Sequence, residues 1–231
     1  MVTLFRGEFQ LMDWITFMLP LRLSTQVAFL SSILVLIIGT AIAWWMTHHA
    51  FKGKIVVETI FMLPLVLPPT VIGFLLLVIF GRESWLGILM AFLFDTTILF
   101  TWFAAVIASF VVAFPLVYQT MKTGFHYVDR ELVDAGRSIG ASGWQVFRYI
   151  TLPLCKRSLI TAYILGFARS LGEFGATLMI AGNIPGRTQT LPTAIYVAVD
   201  VGNTSMAWLW TFTIIAISFL LLLFTRAKPN E

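Results

Sequence analysis

Residues 132–153 read LVDAGRSIGASGWQVFRYITLP, a polar island between two long apolar runs. The island carries charges, three glycines and Trp144, and it closes on Pro153. Leu132, Ala135 and Ile139 recur at spacings of three and four, which predicts an amphipathic helix. Gly140 is free to take a positive φ and ends that helix. Ser142 can cap a second helix, whose apolar positions are Val146, Phe147 and Ile150. Pro153 should stop this second helix before the next apolar run. A helix–glycine–helix unit held between apolar runs is a platform on which another polypeptide can dock. The plainer alternative is an interfacial helix with no partner.

The flanking runs define the class. Of 231 residues, 59% are hydrophobic and 11% charged, with a mean hydropathy of +0.91. Soluble domains carry about 25% charged residues. The chain therefore reads as an all-α integral membrane protein with one transmembrane domain over 1–231. A spanning helix needs roughly 20 mostly apolar residues. Five segments meet that length, at about 24–47, 55–80, 98–121, 157–181 and 206–225, with a surface loop at about 122–156. Residues 85–94 and 192–199 are too short to cross and read as interfacial or re-entrant. Residues 9–21, interrupted by Asp13 and Pro20, read as a helix lying at the surface. No cleavable signal is evident, so the N-terminus is expected to be retained.

Ten of the fifteen Lys and Arg residues fall between spans one and two, between spans three and four, and after span five. They are Lys52, Lys54, Lys122, Arg130, Arg137, Arg148, Lys156, Arg157, Arg226 and Lys228. These regions share one side of the membrane, so the bias places the loop and the C-terminus in the cytoplasm and the N-terminus outside. The net charge of +4 is thus a topology signal and does not point to nucleic acid. The single cysteine, Cys155, precludes an internal disulfide and reads as an apolar filler. His48 and His49 lack further ligands nearby and His126 reads as a loop residue, so no metal site is expected. Trp44, Trp45, Trp85, Trp102, Trp208 and Trp210 read as an aromatic belt near span ends. Asp95 and Asp200 read as solvated charges in outer loops.

Two features lie inside the spans. Pro64, Pro68 and Pro69 interrupt span two, and Pro115 lies in span three. Each removes a backbone donor, giving either a static kink or a pore-lining bend. In span four, Arg169 and Glu173 stand four apart, with Ala168, Gly172 and Ala176 as a small-residue stripe beside them. Intramembrane charges pair or face water, and small residues permit close helix approach. The pair therefore reads as either a structural ion pair or a pore element.

The loop resembles that of importer permeases of the ATP-binding-cassette class, whose pattern is E-A-A, three residues, G, nine residues, I, any residue, L-P. Here the matching positions are Asp134, Ala135, Gly136, Gly140, Ile150, Leu152 and Pro153. Asp134 replaces Glu and Gly136 replaces Ala. The resemblance implies a type I importer permease core in which these residues, with Ser142, couple to a separate ATPase. ATP and Mg would be bound by two such ATPase subunits, since no phosphate-loop motif occurs in this chain. The chain itself would be no enzyme and hold no cofactor. The resemblance further implies a homodimer in a bacterial plasma membrane and an external binding protein docking around 82–97 and 183–205. ARSLGEFGAT (168–177), NIPGRTQTLPTAIY (183–196) and LPLVLPPTVIGFLLL (63–77) are similar to permeases of molybdate importers, with sulfate and tungstate as alternative cargoes. The competing class is an ion-driven secondary transporter with Glu173 as its coupling carboxylate. A membrane enzyme is disfavoured, because no cluster of His, Asp or Ser lies deep in the spans.

Overall fold

The structure is a computed structural model that describes residues 14–94 and 97–226. Those residues are mostly helical and form no strand. The helices are α1 (Trp14–His48), α2 (Lys54–Val66), α3 (Pro69–Ile79), α4 (Trp85–Phe94), α5 (Trp102–His126) and α6 (Arg130–Ser138). They continue with α7 (Gly143–Leu154), α8 (Lys156–Leu171), α9 (Gly175–Ala181), α10 (Leu191–Asp200) and α11 (Thr204–Arg226). In lipid the backbone must satisfy its own hydrogen bonds, which leaves helices as the solution for chains this apolar.

Helix α5 is the axis of the fold, packed against α1 and α8. The face of α1 turned inward is built largely from small residues, among them Ser24, Ala28, Ser31, Ser32, Gly39 and Ala43. On α5 the inward face carries Ala104, Ala105, Ala108, Ser109 and Ala113. Lipid tails are as apolar as Leu, so helices in a bilayer associate by close packing of small side chains. Val117 of α5 shows the result. A Cβ on Gly39 of α1 would lie 3.2 Å from its Cγ1, and one on Gly166 of α8 would lie 2.9 Å from its Cγ2.

Three helices are long and apolar enough to cross a membrane by themselves: α1, α5 and residues Thr204–Leu223 of α11. The second apolar run is broken. Helices α2 and α3 meet at a bend of 116°, with Leu67 and Pro68 extended and Pro69 opening α3. Pro64 lies within α2 and Pro115 within α5, and neither ends its helix. The break falls where two consecutive residues lack amide hydrogens. The fourth run, 157–181, is also interrupted. Helix α8 ends at Leu171, and the chain turns through Gly172, Glu173 and Phe174 before α9 begins.

The two late halves, α3 and α9, pack on each other. A Cβ on Gly73 of α3 would lie 2.6 Å from Met179 Cβ and 2.9 Å from Ala176 Cα, and one on Gly175 of α9 would lie 3.0 Å from Pro69 Cβ. The two helix breaks are therefore neighbours. This corrects the small-residue stripe. Ala168, Gly172 and Ala176 do not share one helix face, because Gly172 is an exposed C-cap and Ala176 belongs to α9. The close approach involving Ala176 is made with Gly73.

Residues 14–21 are not a separate surface helix. They continue α1, which runs through Pro20 without stopping. Residues 9–13 and Asp95 lie outside the described residues. Trp210 does not face outward. It is buried, and its Nε1 donates to the Phe17 carbonyl at 3.2 Å, tying α11 to α1. Nearby, the Leu191 amide donates to Ser24 Oγ at 2.6 Å, which joins α10 to α1.

Replacing Gly73 with Leu should disrupt the α3–α9 contact. The obstructing Ala176 Cα is backbone and cannot rotate away, so a loss of about 1–3 kcal/mol is expected. Gly143→Ala, with no atom within 4 Å of the new Cβ, serves as the control. Thermal unfolding of the detergent-solubilised protein compares the two, with a lower midpoint for the Leu variant alone.

Candidate functional site

The polar island folds into two helices at a sharp turn. Asp129 caps α6 by accepting from the Glu131 amide at 2.9 Å. Gly140 follows the helix with φ +89°, a conformation that L side chains rarely adopt. Ser142 then opens α7 with a capping box. Its Oγ accepts from the Gln145 amide at 3.3 Å, and Gln145 Oε1 accepts from the Ser142 amide at 2.8 Å. Gly136 is the buried residue of α6. A methyl there would lie 2.6 Å from Ile150 Cδ1, so Ile150 occupies the space that the Ala of the related pattern would fill.

Leu132 and Ile139 face outward, Ile139 being 86% exposed. Ala135 is exposed as well. The apolar face read from the spacing is therefore the outer face of the unit, and Val133 and Gly136 turn inward. Behind α6 lies a cavity of about 390 Å³, lined by Thr47 and His48 of α1, His126 of α5, and Arg130, Asp134 and Arg137 of α6.

Phe147 joins the unit to the bundle. Its ring centroid lies 5.1 Å from Trp44 of α1, 6.4 Å from Phe125 of α5 and 5.6 Å from Trp144. Helix α7 takes a π turn over Phe147–Thr151. Pro153 does not stop it, since the chain stays helical to Leu154 and turns at Cys155. The π register has already shifted the hydrogen-bond ladder ahead of Pro153: the Leu152 amide donates to Phe147 five residues back. Leu152 is half-buried and Pro153 exposed. From Cys155 the chain enters α8 at a bend of 74°. Cys155 is buried, donates weakly to the Gly124 carbonyl at 3.4 Å, and is pushed by burial to a pKa of about 11.

The second constellation lies at the helix breaks. Arg169 Nη1 donates to Glu173 Oε2 at 2.8 Å, and Glu173 Oε1 accepts from the Ala176 amide at 2.9 Å. The Glu173 side chain is 1% exposed and that of Arg169 30%. Glu173 stands in the break rather than on a continuous helix face. It satisfies an amide at the start of α9 and balances one cation. Ser170 Oγ and Thr177 Oγ1, buried on either side, have no hydrogen-bond partner among the described residues.

Sequence reasoning missed a third pair. Glu58 of α2 and Lys122 of α5 form an ion pair at 2.7 Å, with Tyr118 Oη donating to Glu58 at 3.4 Å. Lys122 is therefore a helix residue with a partner, not a loop charge. The available signal was Glu58 itself, the one acid in an apolar run, which demands a counter-charge. His48 and His49 bond back through Nδ1 to the Trp44 and Trp45 carbonyls. Among the described residues, no three His, Cys, Asp or Glu side chains gather in a metal-holding group.

Known structures place this architecture. The chain matches a subunit of the inward-facing MetNI methionine ABC transporter with a TM-score of 0.71 at 17% identity, covering 95% of this chain and 100% of that one. The fold is that of a type I ABC importer permease. Residues 35–227 match the model of the binding-protein-dependent transport system inner membrane component, and the chain belongs to that family. YvgM of Bacillus subtilis (strain 168), whose name assigns it to a molybdenum transport system as permease, is 56% identical over 215 residues, 93% of this chain and 95% of its own length. The molybdenum transport system permease protein ModB of Escherichia coli (strain K12) is 40% identical over 188 residues, 81% of this chain and 80% of its own. Permeases named for sulfate transport also match, at lower identity. The chain is thus a multi-pass membrane component of an ABC importer.

Two measurements probe these sites. Arg169→Leu strands a buried carboxylate and should cost about 3–5 kcal/mol. Glu173→Gln keeps an acceptor for the Ala176 amide and should cost less, an order that thermal unfolding checks. The Cys155 thiol, with its pKa raised to about 11, should resist maleimide at pH 8 in native membranes and react once the protein is denatured. Any labelling should rise about tenfold per pH unit and level off only near that value, because the thiolate fraction grows until the pH reaches the pKa.

Proposed function

We propose that this chain is the permease subunit of an ATP-driven molybdate importer. The observation that carries the reading is the helix–glycine–helix unit, joined to α1 and α5 through Phe147 while its apolar face stays uncovered. A segment bound firmly to the bundle on one side and open on the other is suited to pass on a partner's motion. The cargo assignment is supported by the molybdenum permeases among its relatives.

In this reading two copies of the chain form the pathway at their twofold axis. Two ATPase subunits bind ATP and Mg on the cytoplasmic side and engage the 129–151 unit through Leu132, Ala135, Ile139 and the Gly140 turn. The Gly136–Ile150 packing and the Ser142 cap hold the unit's shape, and Asp134, Leu152 and Pro153 belong to the same coupling segment. An external oxyanion-binding protein docks on the outer loops around 82–97 and 183–205. The N-terminus lies outside and the C-terminus in the cytoplasm of a bacterial cell. ATP-driven closure moves the unit, and the junction of α2–α3 with α8–α9 is where the pathway changes access. Breaks in spanning helices persist where protein or a water-filled cavity surrounds them, and Arg169 and Glu173 sit at one such break.

Reconstituted vesicles supplied with the co-purified ATPase and binding protein test this. Labelled molybdate should accumulate only with ATP, and unlabelled molybdate should compete better than sulfate. Uptake driven by an ion gradient without ATP would instead establish a secondary transporter. Gly140→Val forces a β-branched residue into φ +89° and should leave ATP hydrolysis running while uptake falls at least tenfold. Normal coupling in that variant would remove the unit from the mechanism.

A further inference from the structure

We infer that the junction of α7 and α8 is a binding surface for anionic phospholipid headgroups. Arg148 on α7, and Lys156 and Arg157 on the first turn of α8, are all exposed. None makes an ion pair among the described residues, where the two salt bridges are Glu58–Lys122 and Arg169–Glu173. Arg148 lies over the Tyr149 ring, its Cζ 5.9 Å from the centroid. The surface thus offers three cations that no acid among the described residues neutralises.

Geometry places these cations where headgroups lie. Helix α8 belongs to a membrane span, and α7 leaves it at 74°. For an α8 that runs near the bilayer normal, that angle lays α7 close to the membrane plane. Val146 and Ile150 pack toward Gly136 of α6 and Phe147 onto the bundle, while Trp144 and Tyr149 are 68% and 74% exposed. A helix with aromatic and basic residues on its open face suits the headgroup layer, where amphipathic rings and long cationic stems both settle.

Continuity argues for lipid rather than for an ATPase. Leu154 and Ile160, both exposed, join the cationic group to the apolar flank of α8. That flank continues into the span, whose outer face meets acyl chains. The apolar tip around Ile139 is separated from Arg148 by the Gly140 turn and the start of α7, and from Lys156 and Arg157 by the whole of α7. A phosphodiester bound at Arg148, Lys156 and Arg157 would fix the end of α7 against the membrane, so that displacement of the Gly140 turn pivots about a held point.

The test is native mass spectrometry of the full chain, with whatever subunits co-purify, taken from equimolar phosphatidylglycerol and phosphatidylcholine. The wild-type protein should retain phosphatidylglycerol selectively. Each cation near an anionic surface contributes about a fivefold preference, so Arg148→Gln/Lys156→Gln/Arg157→Gln should lose on the order of a hundredfold. Arg148→Lys/Arg157→Lys should keep the preference, and Lys156→Gln/Arg157→Gln should lose roughly 25-fold, which provides a milder variant where the triple one folds poorly. Free inorganic phosphate should not displace the lipid. The inference is overturned by equal retention of both lipids in the wild type, by undiminished selectivity in the glutamine variants, or by displacement with phosphate. Loss of a co-purified subunit with lipid retention intact would also overturn it and assign the surface to that subunit.

Discussion

A helix that stops inside a hydrocarbon layer leaves amides that no water can satisfy, and the carboxylate of Glu173 answers that demand here. One of its oxygens takes the Ala176 amide and the other takes the Arg169 guanidinium. The same constraint governs the rest of the molecule. Trp210 Nε1 finds the Phe17 carbonyl, and the Leu191 amide finds Ser24. Glu58 finds Lys122 and Tyr118. Each polar tie joins two elements that apolar packing alone would leave free to slide. An unsatisfied group in this environment costs several kcal/mol, so each tie also fixes the register of the helices it links.

The fold separates a dense part from an open one. Small residues on α1, α5 and α8 bring three helices to a common point at Val117. Helix α2, in contrast, has no buried residue and leads into the 116° bend at Pro68 and Pro69. Its inward contacts include the Glu58 pair, the packing of Phe61 on Phe114 and Tyr118, and Val57 and Met62 against the core. The loop unit follows the dense part, because Phe147 seats on α1 and α5. Motion imposed on the unit therefore reaches the bundle through its stiffest members.

Local chemistry was legible in the sequence where it is short-range. The Gly140 turn and the Ser142 cap depend on residues three or four apart, and the structure has both. The membrane class follows from composition, which sums over the whole chain. Legibility fails where partners are distant. Nothing local marks the Trp210–Phe17 contact, 193 residues apart, and Glu58 demands a counter-charge without naming Lys122, 64 residues on. Hydropathy also cannot see the break after Leu171, since Gly172, Phe174 and Gly175 keep the average apolar while the backbone turns. Spacing alone suggested the Ala168, Gly172 and Ala176 stripe for the same reason: it presumes the helix it seeks to describe. Pro153 misled in the opposite sense, because a π turn ahead of it absorbed the missing donor.

The length of α1 has a mechanical consequence. Its 35 residues make a rod of about 52 Å, against roughly 30 Å of hydrocarbon. The surplus places Trp44, the seat of Phe147, near one end of the rod, while Phe17, held by Trp210, lies near the other. Such a rod is a lever with a grip at both tips. A tilt of only a few degrees about its middle swings the two ends in opposite directions by an ångström or more, so rearrangement on one face of the bilayer is geometrically tied to rearrangement on the other.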